Sequence, residues 1–396
     1  MKIVYIYDVF HPDAGYQANI LSKYWVKFGH EVYIFTSEMK KIPSHYTDFF
    51  DIKNLEEKDL AFEKRTGVKI LRFPLLTYKS GRAVYSKCLF KKLREKKPDV
   101  VFVNGNDSLI GIQLILKYKK NDFGLVTDSH MLEMASANRF NNIFRIYYKL
   151  CVTPLILKYN IPVIRTQDDD YVEKCLGLPL NRCPLISFGT DMSLFNPNGD
   201  VKKKFREGNN ISNNAFIVAY AGKIIKSKGA EILAKAAQTR IKSAREIVFL
   251  IVGNTEGEFG KRIEGEFKKS KHRIIRLPTQ RYQELPAVYQ VADIAVFPKQ
   301  CSLSFFDVQA CGLPVIFEDN NINVDRSGYH NAVTYRTDCV EDFCDKISFF
   351  ANMNEEEFNK YKRNAIELVR KTYDYELKAR EYIPYLEQQA RAKNRL

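Results

Sequence analysis

The sequence predicts an α/β protein built from two doubly wound domains that face each other across a cleft. Three observations carry that prediction. Short apolar runs alternate with helical patterns from end to end, as in parallel sheets covered by helices on both faces. The alternation breaks once, at the polar stretch FGTDMSLFNPNGD (188–200), and then restarts. The chain of 396 residues also exceeds what a single hydrophobic core organises.

Taken in order, the first series of strand-like runs is KIVYIYDVF (2–10), EVYIFTS (31–37), VKILRFPL (68–75), DVVFVNG (99–105), GLVTDSH (124–130) and PVIRTQ (162–167). Between them lie helical patterns such as YQANILSKYWVKFGH (16–30) and DSLIGIQLILKYKK (107–120). The second series is AFIVAYAG (215–222), EIVFLIVG (246–253), RIIRLP (273–278), ADIAVFP (292–298) and PVIFED (314–319). Two domains follow, 1–188 and 189–373. The remaining stretch, 374–396, contains DYELKAREYIPYLEQQARA, a helix too long and polar to begin a new core, expected to lie across one or both domains. No internal repeat or low-complexity segment interrupts the pattern.

Composition narrows the class. The chain is 45% apolar and 28% charged, with a net charge of +15. Its eight cysteines form no C-x-x-C pair and read as reduced core thiols of a cytosolic protein. The six histidines are dispersed, so no metal site is expected. MKIVYIYDVFHPDAG reads as a buried strand rather than a signal peptide. The most apolar long segment, IFRIYYKLCVTPLILKY (143–159), is too short and too charged to span a bilayer. A soluble or peripheral protein is expected. Basic residues crowd into KSGRAVYSKCLFKKLREKKP (79–98), where Leu89, Phe90 and Leu93 give an apolar face. Two readings of it stay open: a helix drawn to an anionic membrane surface, at about 1 kcal/mol per basic residue, or a solvated helix of a basic protein. No zinc finger, RNA-binding signature or arginine-rich arm is present, so nucleic acid is not an expected partner.

Parallel sheets bind ligands where strand ends lead into helix starts. In VAYAGKIIKSKGAEIL (218–233), an apolar run ends on Gly222, Lys223 and Lys228 follow, and Gly229 opens a helix. Free N–H groups and a helix dipole favour an anion there, and two lysines suit more than one negative charge, such as a diphosphate. A basic surface loop is the alternative. In QCSLSFFDVQACGLPVI (300–316), Asp307 falls in a first helical turn, where it could cap the helix or accept from ribose hydroxyls. The hydroxyls of Ser302 and Ser304, with the backbone N–H groups of this loop including Leu303, could hold phosphate oxygens. DVFHPDAGYQAN (8–19) again sets a glycine, Gly15, before a helix. In DSHMLEMASANRF (128–140), His130 ends a strand, a position that is also common for a structural histidine.

Together these residues resemble a family. GYQANILSKYWVKFGHEVYIFTSE, FGTDMSLFNP, AYAGKIIKSKG, ADIAVFP and DVQACGLPVI are similar, in order and over almost the whole chain, to the signatures of glycosyltransferase family 4, which has the GT-B fold. The resemblance implies an acceptor-binding first domain, a second domain that binds a nucleotide-diphosphate sugar as co-substrate, and a C-terminal helix crossing back to the first domain. It implies transfer with retention of configuration, no cofactor and no essential metal. By position, Lys223 and Lys228 face the donor diphosphate, Lys223 replacing an arginine. Asp307 replaces the glutamate that grips the ribose, and His130 matches a histidine near the donor sugar. Gly15 matches a glycine of the first loop, followed here by Tyr16. The first of the family's two paired glutamates has no counterpart: the position holds Lys299.

The expected function is therefore sugar transfer to a glycan or lipid-linked glycan in surface polysaccharide assembly, in the cytoplasm or at the inner membrane face, the basic segment 79–98 and the aromatic-rich RIYYKLCV (145–152) favouring a lipid-linked acceptor there. Two alternatives stand beside it. One is a nucleotide-sugar epimerase of the same fold, which needs a basic carboxylate that residues 299–304 do not supply. The other is a non-catalytic subunit that binds nucleotide sugar.

Overall fold

Each apolar run of the sequence forms a strand in the computed structural model, which describes residues 1–43, 52–79, 81–130, 141–299 and 303–394. The chain divides into two units, Met1–Phe188 with Tyr375–Leu396, and Gly189–Asp374.

In the first unit the strands are β1 (Lys2–Ile6), β2 (Glu31–Ser37), β3 (Lys69–Phe73), β4 (Leu75–Lys79), β5 (Arg82–Tyr85), β6 (Val100–Val103), β7 (Gly124–Ser129) and β8 (Val163–Arg165). β4 and β5 pair as an antiparallel hairpin. The other six form one parallel sheet in the order β3-β2-β1-β6-β7-β8. Its central strands are apolar throughout because helices cover both faces, and Ile3, Val4 and Tyr5 are wholly buried. Strand order reverses between β1 and β6, which opens a crevice at their carboxyl ends.

The basic segment 79–98 is not one helix. Its first part is the β4–β5 hairpin, and only Lys87–Lys96 is helical. Leu89 and Leu93 are buried in the core, so the apolar face that suggested a lipid surface is already covered by the protein itself.

The C-terminal helix, Tyr375–Asn394, belongs to this unit. Tyr382 packs against Trp25 and Phe102 at ring-centroid distances of 6.1 and 5.4 Å. The Trp25 indole N–H donates to the Ala379 carbonyl at 3.1 Å, and Gln17 Nε2 donates to the Tyr382 hydroxyl at 2.8 Å. The helix thus covers the face left bare beside helix Gln17–Lys27.

The second unit repeats the plan. Its strands are β9 (Phe216–Ala221), β10 (Ile247–Val252), β11 (Arg273–Leu277), β12 (Ile294–Phe297), β13 (Val315–Glu318) and β14 (Ala332–Tyr335). They run parallel in the order β11-β10-β9-β12-β13-β14, with the reversal between β9 and β12. The motif ADIAVFP earns its acid here. Asp293 is buried, accepts from the Ile217 N–H at 2.8 Å, and pairs with Lys202 at 2.7 Å and Arg206 at 3.2 Å. That network fastens helix Gly199–Gly208 beside β9 and β12. The cysteines divide: Cys175, Cys183, Cys311 and Cys344 are buried thiols, whereas Cys88 and Cys151 are exposed and not core residues. Cys301 lies outside the described residues.

Candidate functional site

In the second unit the candidate residues gather at the strand-order reversal. β9 ends at Ala221, and the Gly222 N–H donates to Val252 on β10 at 3.0 Å. The Tyr220 hydroxyl donates to the Lys223 carbonyl at 2.7 Å, and Ile224 is buried beneath the loop. These two anchors leave the Lys223 side chain exposed. A short 3-10 turn, Lys226–Lys228, then delivers Lys228 half-buried at the start of helix Ala230–Gln238. Lys226, exposed in the same turn, is a third cation that spacing alone did not single out.

Gly229 makes this turn fit. Its φ is +76°, a left-handed value that L side chains adopt at a cost. A Cβ there would also lie 2.7 Å from Pro298 Cβ and 3.1 Å from Lys299 Cγ. The turn after β9 therefore packs directly on the end of β12, which the Tyr335 hydroxyl fixes by donating to the Pro298 carbonyl. Lys299 pairs with Asp338 at 2.7 Å, and that hydrogen bond raises its pKa. Position 299 thus adds a cation where the resemblance has a carboxylate. A similar close approach joins the turn to β10, since a Cβ on Gly253 would meet the Gly222 carbonyl at 2.0 Å. Beyond it lies a polar hollow of about 430 Å³, lined by Asn254, Thr255, Glu256 and Arg276 among others. No motif in the sequence marks that hollow, because its walls come from two strand ends brought together by pairing.

Ser302 lies outside the described residues. Leu303 is exposed just ahead of helix Ser304–Ala310, and Ser304 hydrogen-bonds Tyr289. Asp307 is in the first turn of that helix, as expected, but only 7% exposed. Its Oδ1 accepts from the Thr190 hydroxyl at 2.5 Å. Burial pushes its pKa up to about 7, the Thr190 hydrogen bond opposing and Asp191 adding to the rise. Asp307 is thus enclosed with Oδ1 held by Thr190, so a ribose hydroxyl would have to reach Oδ2 or exchange with Thr190.

The first unit has its own cluster at the carboxyl ends of β1, β6 and β7. Tyr16 is exposed, follows half-buried Gly15, opens helix Gln17–Lys27 and stacks on Tyr7 at 6.2 Å. Asp8, just past β1, was not foreseen as a site residue. Burial raises its carboxyl to about 6. His130 is far from a lone histidine. Its Nε2 lies 2.8 Å from Asp128 Oδ2 and 2.6 Å from Asn104 Nδ2, and its Nδ1 lies 3.3 Å from Thr166 Oγ1. Its ring stacks on Phe188 at 5.2 Å. Asp128 is completely buried and accepts from the Gly105 N–H at 2.7 Å. Both imidazole nitrogens therefore have protein partners. A carboxylate inside the continuously buried strand β7, two residues before the histidine, could have flagged Asp128. Among the described residues no group of three or more His, Cys, Asp or Glu could hold a metal ion.

Two parallel sheets with the same strand order, each reversing where the candidate loops emerge, define a GT-B fold. A glycosyltransferase from Rickettsia africae has a TM-score of 0.74 to this chain at 14% identity, covering 98% of both chains. Anabaena HepE, solved with UDP and glucose, has a TM-score of 0.69 at 14% identity, covering 98% of this chain and 100% of that one. Residues 215–352, which contain the lysine turn, match the family described as glycosyl transferases group 1. The D-inositol 3-phosphate glycosyltransferase of Pseudarthrobacter chlorophenolicus is 28% identical over 148 residues, 35% of this chain and 34% of that protein. The chain thus spans about a third of the length of that curated relative.

Proposed function

We propose that the protein is a glycosyltransferase that moves a sugar from a nucleotide-diphosphate donor to a glycan or lipid-linked glycan acceptor, with retention of configuration. The observation that carries this reading is the turn Gly222–Gly229. It sets Lys223, Lys226 and Lys228 on a strand-to-helix junction at the strand-order reversal, with Lys299 packed against it. The match of residues 215–352 to group 1 glycosyl transferases supports it, as does the UDP and glucose in the Anabaena structure.

In this mechanism the lysines do the electrostatic work. As the glycosidic bond breaks, negative charge builds on the leaving diphosphate, and ammonium groups already in place stabilise it without reorganising. Lysines act as point charges, giving up the two-pronged grip of an arginine. The hollow beside Gly253 offers room for the nucleoside end of the donor. The acceptor hydroxyl attacks on the face from which the diphosphate departs, and the departing oxygen takes its proton. The protein contributes positioning and charge rather than a dedicated base. No cofactor or metal enters this scheme. The acceptor belongs to surface polysaccharide assembly in this reading, with inositol phosphate, named in the Pseudarthrobacter relative, as the comparison acceptor.

Lys228→Ala is expected to lower transfer by a factor on the order of 10²–10³. Unchanged turnover in a donor-release assay would remove the lysine turn from the mechanism. A panel of nucleotide sugars screened by thermal shift identifies the donor, because a ligand that binds only the folded state raises its melting temperature. A second reading, a subunit that binds nucleotide sugar without transferring it, draws on Asp307 being enclosed and on Lys299 standing in place of a carboxylate. Donor binding by calorimetry, with neither nucleotide diphosphate nor free sugar released, would favour that reading.

A further inference from the structure

Helix Asn141–Tyr147 and the π-helical turn Tyr148–Val152 that continues it have two apolar faces. One packs inward: Tyr148 and Val152 are wholly buried, and Phe144 leans on the same core. The other is bare. Ile143 is 70% exposed, Ile146 59%, Tyr147 41% and Leu150 72%. Spacings of three, four and seven residues set them in one stripe, which exposed Pro154 prolongs. Single exposed apolar side chains are ordinary, but a contiguous run of large ones marks a contact surface.

Charge identifies the partner. The first unit holds 34 Lys and Arg against 23 Asp and Glu, a net +11 of the chain's +15. Some of that charge sits on this segment and on the hairpin that touches it through Phe144. The Arg82 guanidinium, paired with Asp107 at 3.5 Å, lies over the Phe144 ring at 4.3 Å, and exposed Lys79 faces Arg82 across the β4–β5 hairpin. Exposed Lys149 follows on the same segment, and exposed Lys158 ends the helix Thr153–Lys158 that continues it. On the same hairpin Leu76 is 64% exposed. Large apolar side chains bordered by long cationic ones suit the headgroup region of a membrane, where apolar atoms enter the acyl boundary and ammonium groups stay at the phosphates. Residues 143–154 reach only about 18 Å as a helix, too short to cross a bilayer, so the segment lies flat.

We propose that the stripe Ile143, Ile146, Tyr147 and Leu150, with the cations of the neighbouring hairpin and helix, docks the first unit on an anionic lipid bilayer. The apolar part of this surface lies in the stretch 143–150 and not in the helix of segment 79–98, whose leucines are in the core, while Lys79 and Arg82 of that segment supply cations beside it. The proposal needs no sugar transfer, and its test uses neither donor nor acceptor, so it stands or falls apart from the transferase reading.

The test is flotation of the full chain with vesicles of phosphatidylcholine alone or with about one third phosphatidylglycerol, at low and high salt. The full chain is expected to float with the anionic vesicles at low salt. Ile146→Glu with Leu150→Glu is expected to weaken that binding at least tenfold while leaving the melting temperature of the protein unchanged. Lys79→Glu with Lys149→Glu is expected to abolish the preference for anionic lipid. Failure of the native chain to float would overturn the proposal, as would equal flotation of the glutamate variant. So would a light-scattering mass of two copies that drops to one in that variant, because the stripe would then be a contact between copies of the chain.

Discussion

At the scale of single residues, burial decides how the carboxyl of Asp307 titrates. The group is enclosed, and its pKa is raised to about 7. An unfolded aspartate ionises near pH 4. Between those values the folded state holds a proton that the unfolded state has lost, so stability falls as pH rises from about 4 to about 7 and levels off above. Asp307→Asn removes the titration while keeping an oxygen that can accept from Thr190. The variant is expected to flatten the pH dependence of unfolding, gaining on the order of 2–4 kcal/mol relative to the native chain at pH 8 compared with pH 4. Urea denaturation at the two pH values measures this; parallel curves for both proteins would show that Asp307 does not carry the shift. His130 teaches the complementary lesson, since a histidine that looked isolated in sequence is gripped by Asp128, Asn104 and Thr166.

At the scale of elements, the Asp293 network decides whether helix Gly199–Gly208 stays attached to its sheet. The carboxylate is the shared partner of Lys202, of buried Arg206 and of the Ile217 N–H. Asp293→Ala would strand the Arg206 charge in a nearly dry site, although its hydrogen bonds to the Ser212 and Ala215 carbonyls would remain. Losing one partner of a buried ion pair costs about 3–5 kcal/mol. A drop of that size is expected in the unfolding free energy of the second unit, read from its urea midpoint. A change below about 0.5 kcal/mol, ordinary for surface substitutions, would mean that the helix is held by its other contacts. The segment 79–98 makes the same point about elements. Its composition was uniform and basic, but β4 and β5 turn back on each other before the helix Lys87–Lys96 begins.

At the scale of the molecule, the two units are unequal in how the chain builds them. The second is one continuous stretch, Gly189–Asp374, whereas the first is closed by a helix from the far end of the sequence. That helix supplies Tyr382 and Leu386 to a core that also contains Trp25 and Phe102. Ending the chain after Asp374 uncovers this face. The melting transition of the first unit is expected to fall by at least about 10 °C, since each kcal/mol lost shifts a unit of this size by some 2–4 °C, and the second unit should melt as before. Differential scanning calorimetry separates the two. Equal loss in both transitions would contradict the division of the chain.

Local patterning determined the fold class. The alternation of apolar runs and helical patterns, the break near residue 190 and the lysine turn after an apolar strand are all short-range features, and side chains one to seven residues apart encode them. What only the tertiary structure decided depends on residues far apart in the chain. Strand order placed β12 beside β9 and so brought Lys299 against Gly229. Pairing of strand ends made the hollow at Gly253, and packing enclosed Asp307 behind Thr190. The same holds for the segment 143–152: the sequence shows only that it is apolar, and the packed core settles which side chains are covered and which are left bare. A sequence pattern records what a residue can bury, and the neighbours that bury it arrive only when distant segments meet.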